Sequence, residues 1–492
     1  MEDVSSLSNR GQAAPLVLTG GPITADDVVK IANGQMVRLD PQCAHRLDTA
    51  RAAVLKAGRA GIAVYGLTTG VGALKEVPVK WEEAHVFNRR LILSHRASHG
   101  PPVPRPVVRA TMLCRAQGLA VGGTGVRSTV VQALIDALNE DDIPTVRVVG
   151  SVGQGDLAPL AEIAEALIRR GLVLEEGEAL ALLSANAFSL GWATLALNRT
   201  RRAISALEMA TALTMEGMLF QPSSIDPAVF AAHPSLELER SILRLRKLLA
   251  GGRLLEGQEP PRLLQDPLSL RVAPQTHATA REAYGQAVKV VERELAAASS
   301  NPLLAPDGRL LSVGNFDTSG LAAALDYARI GLAQALTLSC ERTQKLLSGW
   351  HTGLPTGLRE REDLAEDALA MFGHGAAALA AEARLLAQPV SLELPTSSVA
   401  ESIEDRVILT PLGARRLDEQ AGLAIRLAAI ELICAAQALD LRKRLSGLGE
   451  SMRALHSFVR SSIPFVGVSE TAVMDLEDFG RKLDQNVLVG EE

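Results

Sequence analysis

From Leu423 to Leu439 the chain is apolar around nearly the whole circumference of a helix. This run sits inside a helical pattern over residues 414–446, which at 1.5 Å per residue would be about 50 Å long. A helix without a polar face cannot border water along its length. It has to be surrounded, either within a bundle or between subunits. Further Ala- and Leu-rich helical patterns cover 200–220, 276–298, 317–348 and 363–387. They are separated at Gln221-Pro222, Asn301-Pro302, Leu354-Pro355 and Leu394-Pro395, where proline stops a helix from continuing. Strand-like runs are few and short, such as Val146–Val149 and Leu310–Val313. The expected fold class is all-α.

The N-terminal part is more mixed. Residues 1–15 are polar and expected to be a disordered tail. Thr24-Ala25-Asp26-Asp27 reads as a capping signal for a first helix. Another helix is expected over 41–58, followed by the glycine-punctuated loop Val64–Gly72, which holds Tyr65. The helical pattern of 83–139 breaks at Gly100-Pro101-Pro102 and Gly122-Gly123. Next comes Gly150-Ser151-Val152-Gly153-Gln154-Gly155-Asp156, three glycines in six residues and then an aspartate placed to cap a helix. That helix carries Leu157, Leu160, Ala164, Leu167 and Ile168 on one face and stops at Gly171. One more helix is expected near 177–197. These patterns suggest an N-terminal domain over 16–197 and a long-helix bundle with C-terminal helices over 198–492.

Taken alone, the glycine stretch is compatible with an ordinary loop and cap. It has neither the strand-turn-helix setting of a dinucleotide fingerprint nor the Lys-Ser/Thr of a phosphate loop. A net charge of −6 argues against nucleic acid as a partner. Cys43, Cys114, Cys340 and Cys434 are scattered without metal-ligand spacing, so no metal is expected and the thiols fit a reducing compartment. No signal peptide and no membrane-length apolar run is read, and a cytoplasmic protein is expected.

The order of motifs resembles the aromatic amino acid ammonia-lyase family: the histidine, phenylalanine and tyrosine ammonia-lyases and related aminomutases. Gly150-Ser151-Val152-Gly153 with Gly155-Asp156-Leu157-Ala158-Pro159-Leu160 is similar to the family signature. Tyr65-Gly66-Leu67-Thr68-Thr69-Gly70-Val71-Gly72 resembles the loop carrying the family's general base. Ser94-His95 resembles the substrate-selecting pair in its histidine ammonia-lyase form. Gln265-Asp266-Pro267-Leu268-Ser269-Leu270-Arg271 resembles the segment whose arginine binds the substrate carboxylate, and a guanidinium suits that role through two parallel hydrogen bonds. Asn301-Pro302-Leu303 and Gly314-Asn315-Phe316 resemble two more site segments, and Glu404-Asp405-Arg406-Val407 is similar to Glu-Asp-His-Val. The resemblance implies the family's long-helix fold and a homotetramer. It assigns catalysis to Tyr65 and Glu404, and substrate binding to Ser94, His95, Gln265, Arg271, Asn301 and Phe316.

The departures cluster. In the family an Ala-Ser-Gly tripeptide cyclises into the electrophilic methylidene-imidazolone group. Here Gln154-Gly155 stands where that tripeptide should be, one residue short and without the serine, so that Gly153, Gln154 and Gly155 form a degenerate version of the region. Leu268 replaces a proton-relaying tyrosine, and Ser184-Ala185-Asn186-Ala187 replaces a segment that opens on an asparagine. Ser151 is followed by Val152, whose branched side chain would hinder ring closure. The methylidene-imidazolone group is therefore not expected, and no other cofactor is. The first functional reading is a lyase working without that group. Tyr65 would abstract a proton from an already activated, amino-acid-like carboxylate substrate, in an elimination, isomerisation or addition. The alternatives are a non-catalytic homologue that binds a small molecule or regulates a paralogue, and a conventional histidine ammonia-lyase.

Overall fold

The structure, a computed structural model, describes residues 14–392, 399–468 and 474–486. The expected tail lies outside these residues over 1–13, as does the break at Leu394-Pro395. The chain forms two compact units. The first comprises Met1–Leu195, Val288–Ala323 and Pro389–Arg415, and the second comprises Ala196–Ala287, Ala324–Gln388 and Arg416–Glu492. The sequence suggested one continuous body after residue 197. Instead, 288–323 and 389–415 make their contacts in the first unit.

The first unit opens on the expected capping box: the Thr24 hydroxyl accepts from Asp27 N, and the Asp27 carboxylate accepts from Thr24 N at 3.0 Å. Helix Ala25–Ala32 packs on Arg105–Val121, which also packs on Ser128–Asn139. Helix Ala84–His95 packs on Leu157–Arg169 and Glu178–Leu183. Among the described residues, three two-stranded sheets complete the unit. Leu16–Leu18 pairs in parallel with Val37–Leu39, while His99–Pro102 with Arg147–Val149 and Leu303–Leu304 with Leu310–Leu311 are antiparallel.

Two expectations are corrected here. Asp156 stands at the N-cap position of the helix that follows it, Leu157–Arg169, but its side chain makes no capping hydrogen bond there. Its buried carboxylate accepts from Ser189 N at 2.7 Å and Ser189 Oγ at 2.9 Å, in the first turn of Ala187–Met218. It also accepts from Ser151 Oγ at 2.6 Å. The carboxylate thus ties the glycine loop to the start of a different helix, where amide groups lack intrahelical partners. The helices expected near 177–197 and 200–220 are likewise redivided. Glu178–Leu183 ends at Ser184, and Ala187–Met218 continues without a break because no glycine or proline interrupts residues 192–216.

The second unit holds the large apolar core. Leu427, Ala428, Leu432, Ile433, Cys434, Ala435, Ala436 and Leu439 of helix Thr410–Leu441 are completely buried against residues such as Leu207, Leu213 and Leu336. Of the two environments open to this helix, a surrounding bundle within the chain is the one observed. Its buried Glu431 receives Arg342 Nε at 2.6 Å, Thr214 Oγ1 at 2.8 Å and Ser339 Oγ at 2.6 Å, so the charge is paired and its oxygens are satisfied.

Two stretches, Glu178–Met218 and Thr410–Leu441, are long and apolar enough to cross a membrane by length and composition alone. Their apolar windows are 89% and 94% buried inside the protein, so both stretches belong to the core. All four cysteines are free and buried.

Candidate active site

The glycine loop is held by its neighbours. Gly153 and Gly155 have φ values of 83° and 82°, the left-handed region that glycine enters without penalty. A Cβ on Gly153 would lie 3.0 Å from both Leu409 N and Thr410 N, so the loop passes close to that backbone. Gly153 N donates to Ser151 Oγ at 3.1 Å, and Gly155 N donates to Asn186 Oδ1 at 2.9 Å. Asn186 in turn donates through Nδ2 to the Phe316 carbonyl. Gln154 forms a backbone bridge with Asp317, and its Nε2 donates to Asp317 Oδ2 at 3.1 Å. The same carboxylate oxygen accepts from Arg406 Nε at 3.0 Å, while Oδ1 accepts from Ser319 N at 2.9 Å. Burial alone would raise the Asp317 pKa, but the Ser319, Gln154 and Arg406 partners outweigh it and hold the carboxyl below its usual range. Asp156 behaves oppositely: its complete burial outweighs its donors, and its pKa is raised.

A cavity of about 780 Å³ opens beside this loop, lined entirely by residues of the first unit. Among the candidates it brings together Tyr65, Ser94, His95, Gln154, Ser184, Asn301, Phe316 and Glu404. The Tyr65 oxygen accepts from Gly72 N at 2.8 Å, so the loop's own backbone aims a donor at the atom that would become an oxyanion. Burial raises the Tyr65 pKa, the Gly72 amide lowers it, and the nearby Glu404 carboxylate raises it; the net direction is upward. His95 Nδ1 lies 2.8 Å from the Leu91 carbonyl. That contact requires the proton on Nδ1, which leaves Nε2 as the acceptor of the neutral ring. Asn301 Oδ1 accepts from Val313 N at 2.9 Å, leaving its amide nitrogen to donate elsewhere.

Gln265 and Arg271 are not in this lining. They belong to the second unit and border a separate cavity of about 520 Å³ with Gln221 and Gln275. The Arg271 Nε is buried and has no hydrogen-bond partner among the described residues. Leu268 opens the one-turn helix Leu268–Arg271 and is 61% exposed. Arg271 and Gln265 therefore do not line the Tyr65 cavity of their own chain. Motif order along a chain does not say which surfaces face one pocket.

Several lining residues had no place in the sequence reading: Asp317, Phe87 and Arg90. Phe87, Leu91 and Ser94 are spaced as one helix face, a signal that could have added Phe87 to Ser94. Asn186 supports the loop although the asparagine position expected from the resemblance is Ser184.

The residues at the loop do not fit a methylidene-imidazolone ring. Gln154 has no hydroxymethyl carbon to become the methylidene, and the Gly155 amide nitrogen is already engaged by Asn186. Ser151, the one serine in the stretch, bonds Asp156 and Gly153. Among the described residues no group of three or more His, Cys, Asp or Glu side chains is arranged to hold a metal ion.

A family model described as aromatic amino acid lyase matches residues 23–461. The histidine ammonia-lyase of Anaeromyxobacter dehalogenans is 33% identical over 508 residues, covering 96% of this chain and 99% of that protein. That of Myxococcus xanthus is 32% identical, covering 96% and 97%. Among solved structures, the tyrosine aminomutase of Streptomyces globisporus superposes with a TM-score of 0.89 at 25% identity, covering 96% of this chain and 97% of that one. An ergothioneine-degrading enzyme, the ergothionase of Treponema denticola, superposes with a TM-score of 0.88 at 25% identity, covering 96% and 98%.

Proposed function

The chain belongs to the aromatic amino acid lyase family, and from that premise we propose that it is an elimination enzyme working without the methylidene-imidazolone group. Its substrate is an amino-acid-like carboxylate that arrives already activated. The observation that carries this reading is Gln154: it stands where the electrophile would be built, tied to Asp317, in the wall of a cavity that keeps Tyr65, His95, Asn301 and Glu404.

In this reading Tyr65 takes the proton, and the Gly72 N–H holds the phenolate as it forms. At the ordinary tyrosine pKa of about 10, forming that anion at pH 7 costs roughly 4 kcal/mol, and burial adds to the cost. Only a substrate with a more acidic proton or a better leaving group than a plain amino acid closes the gap. Ser94 and His95 contact the substrate ring, His95 through its Nε2 acceptor, with Phe316 packing against the ring and Asn301 donating to a polar group. Glu404 faces the departing group. Arg271, whose Nε has no partner among the described residues, takes the carboxylate with Gln265, and a homotetramer is the assembly in which residues of several subunits would form each site. The free buried thiols fit a cytoplasmic setting. The ergothioneine-degrading relative supports a substrate range on this fold that extends beyond histidine, phenylalanine and tyrosine.

A conventional histidine ammonia-lyase is the second reading. It is favoured by the names of the curated relatives and by Ser94-His95. Intact mass and a turnover panel of histidine, phenylalanine, tyrosine and ergothioneine separate the two. A mass equal to the sequence, with no ammonia from the three amino acids, is expected. A deficit of two waters within residues 150–156, or rapid urocanate formation, would establish the second reading instead.

A further inference from the structure

The segment that carries Arg271 is a single helical turn, Leu268–Arg271, which is too short to hold its shape unaided. Two buried charged side chains of the second unit fasten it. Just before the turn, the Asp266 carboxylate accepts from Gln221 N at 2.6 Å. Within the turn, the Ser269 carbonyl accepts from Arg342 Nη1 at 3.2 Å. In a helix of one turn such carbonyls have no intrahelical partner. Arg342 is 1% exposed, and the rest of its fork is turned to Glu431, with Nε at 2.6 Å from Oε1 and Nη2 at 3.0 Å from Oε2. Glu431 is itself fixed by the hydroxyls of Thr214 and Ser339. The guanidinium therefore has one place to stand.

A buried ion pair is a poor source of stability, because apolar side chains of similar volume serve as well or better. What apolar side chains cannot supply is a donor held at the Ser269 carbonyl, two residues before Arg271. That point matters because a carboxylate is gripped by two parallel bonds only when the planes of guanidinium and carboxylate are aligned. The Arg271 Nε is buried without a hydrogen-bond partner among the described residues, so its side chain depends for its aim on the backbone that bears it. Resting on the assignment of the substrate carboxylate to Arg271, we propose that Arg342 and Glu431 are positioning residues. Acting through the Ser269 carbonyl, they set the backbone of Leu268–Arg271 so that Arg271 meets a carboxylate with two bonds. The pair thereby determines the preference for an acid over a neutral analogue, and neither side chain touches the substrate.

The test uses the purified full-length chain and two probe pairs in isothermal titration: 3-phenylpropionate and imidazole-4-propionate, each against its primary amide. Wild type should bind at least one acid about tenfold or more tightly than its amide, and Arg271→Lys should lose that preference. Arg342→Met combined with Glu431→Leu removes both charges together and should keep the urea midpoint. It should nevertheless lose the acid preference about tenfold while amide affinity changes less than about twofold. Arg342→Lys keeps a cation beside Glu431 but has no fork to serve Glu431 twice and Ser269 at once, so it should lose the preference too. This variant carries the comparison if the double variant fails to fold. A wild-type preference in either folded variant, with Arg271→Lys lacking it, would overturn the inference and leave Arg271 as the carboxylate site. Equal losses for acid and amide would also overturn it, since a pair that only supports the fold does not tell the two probes apart. An unchanged preference in Arg271→Lys, or none in wild type, would remove the assignment of the carboxylate to Arg271 and the inference with it.

Discussion

Glu404→Gln tests whether Tyr65 is electrostatically poised as the geometry indicates. In the wild type, burial and the Glu404 charge raise the phenol above its ordinary value of 10, against the opposing donor Gly72 N–H. At pH 7 fewer than one molecule in about a thousand therefore carries the Tyr65 phenolate, three pH units below a pKa of about 10. The sign follows directly. The reactive form is the deprotonated one, so kcat/KM limited by Tyr65 rises about tenfold per pH unit and reaches no plateau below pH 10. Replacing Glu404 by the neutral, isosteric Gln removes a term that disfavours the anion, so the Tyr65 titration must move to lower pH. The measurement does not require the substrate. The chain has three tyrosines, Tyr65, Tyr284 and Tyr327. The difference between wild-type and Tyr65→Phe ultraviolet titrations, recorded after a rapid pH jump, isolates Tyr65. A wild-type midpoint below 10, or an upward move in Glu404→Gln, would refute the reasoning and transfer the base role to another group.

Four further outcomes follow from the geometry. Asp156→Ala leaves Ser189 N, Ser189 Oγ and Ser151 Oγ without their acceptor in a buried setting, at about 1–3 kcal/mol for each group left unpaired, so the urea unfolding midpoint should fall by the equivalent of at least about 3 kcal/mol; a change under about 1 kcal/mol would mean that water replaces the carboxylate. Gly153→Ala puts a Cβ 3.0 Å from two backbone nitrogens at positive φ and should lower the melting temperature, and an unchanged value would mean that the loop moves freely. Arg271→Lys should weaken a bound carboxylate by roughly 1.5–3 kcal/mol in isothermal titration, whereas unchanged affinity would make Arg271 structural. Light scattering should give a homotetramer, and a stable monomer would remove the proposal that several subunits build the site.

Periodicity made the helical fold readable. The long apolar runs needed burial, and helix Thr410–Leu441 received it inside the chain. The motifs also indicated that Tyr65, His95, Asn301 and Glu404 carry chemistry, and the fold places all four around one cavity. Two features were not readable. A short acidic side chain before a helix can cap that helix or reach a different one, and local sequence does not decide between them. Asp156 reaches Ser189 because the loop lies against the start of Ala187–Met218. The second is Arg271: its motif is intact, yet the residue borders a cavity of the second unit, since a motif records order along the chain and not which surface a side chain meets. Asn186 shows the same limit on a smaller scale, doing two residues along what was sought at Ser184.

The state of the glycine loop bears on whether the missing serine marks decay or a changed chemistry. A loop released from function has no need of buried polar partners, since each costs desolvation unless it is satisfied. Here the partners are intact and they converge: Asp156 on Ser189 and Ser151, Asn186 on Gly155 and the Phe316 carbonyl, Asp317 on Gln154, Arg406 and Ser319. Gln154 itself is integrated into this network through a side chain that the family's tripeptide does not possess. The network holds Gln154 in the wall of the cavity that Tyr65 also lines. On the proposed elimination reading, a wall tied by such polar bonds beside the Tyr65 loop is what a self-activated substrate requires, because the base must meet one C–H in one geometry and the site must supply little else. On this argument Gln154→Ala should loosen the wall and reduce turnover of the true substrate without altering the Tyr65 titration. If Gln154→Ala left turnover unchanged, the loop's order would be a remnant of folding, unconnected to catalysis.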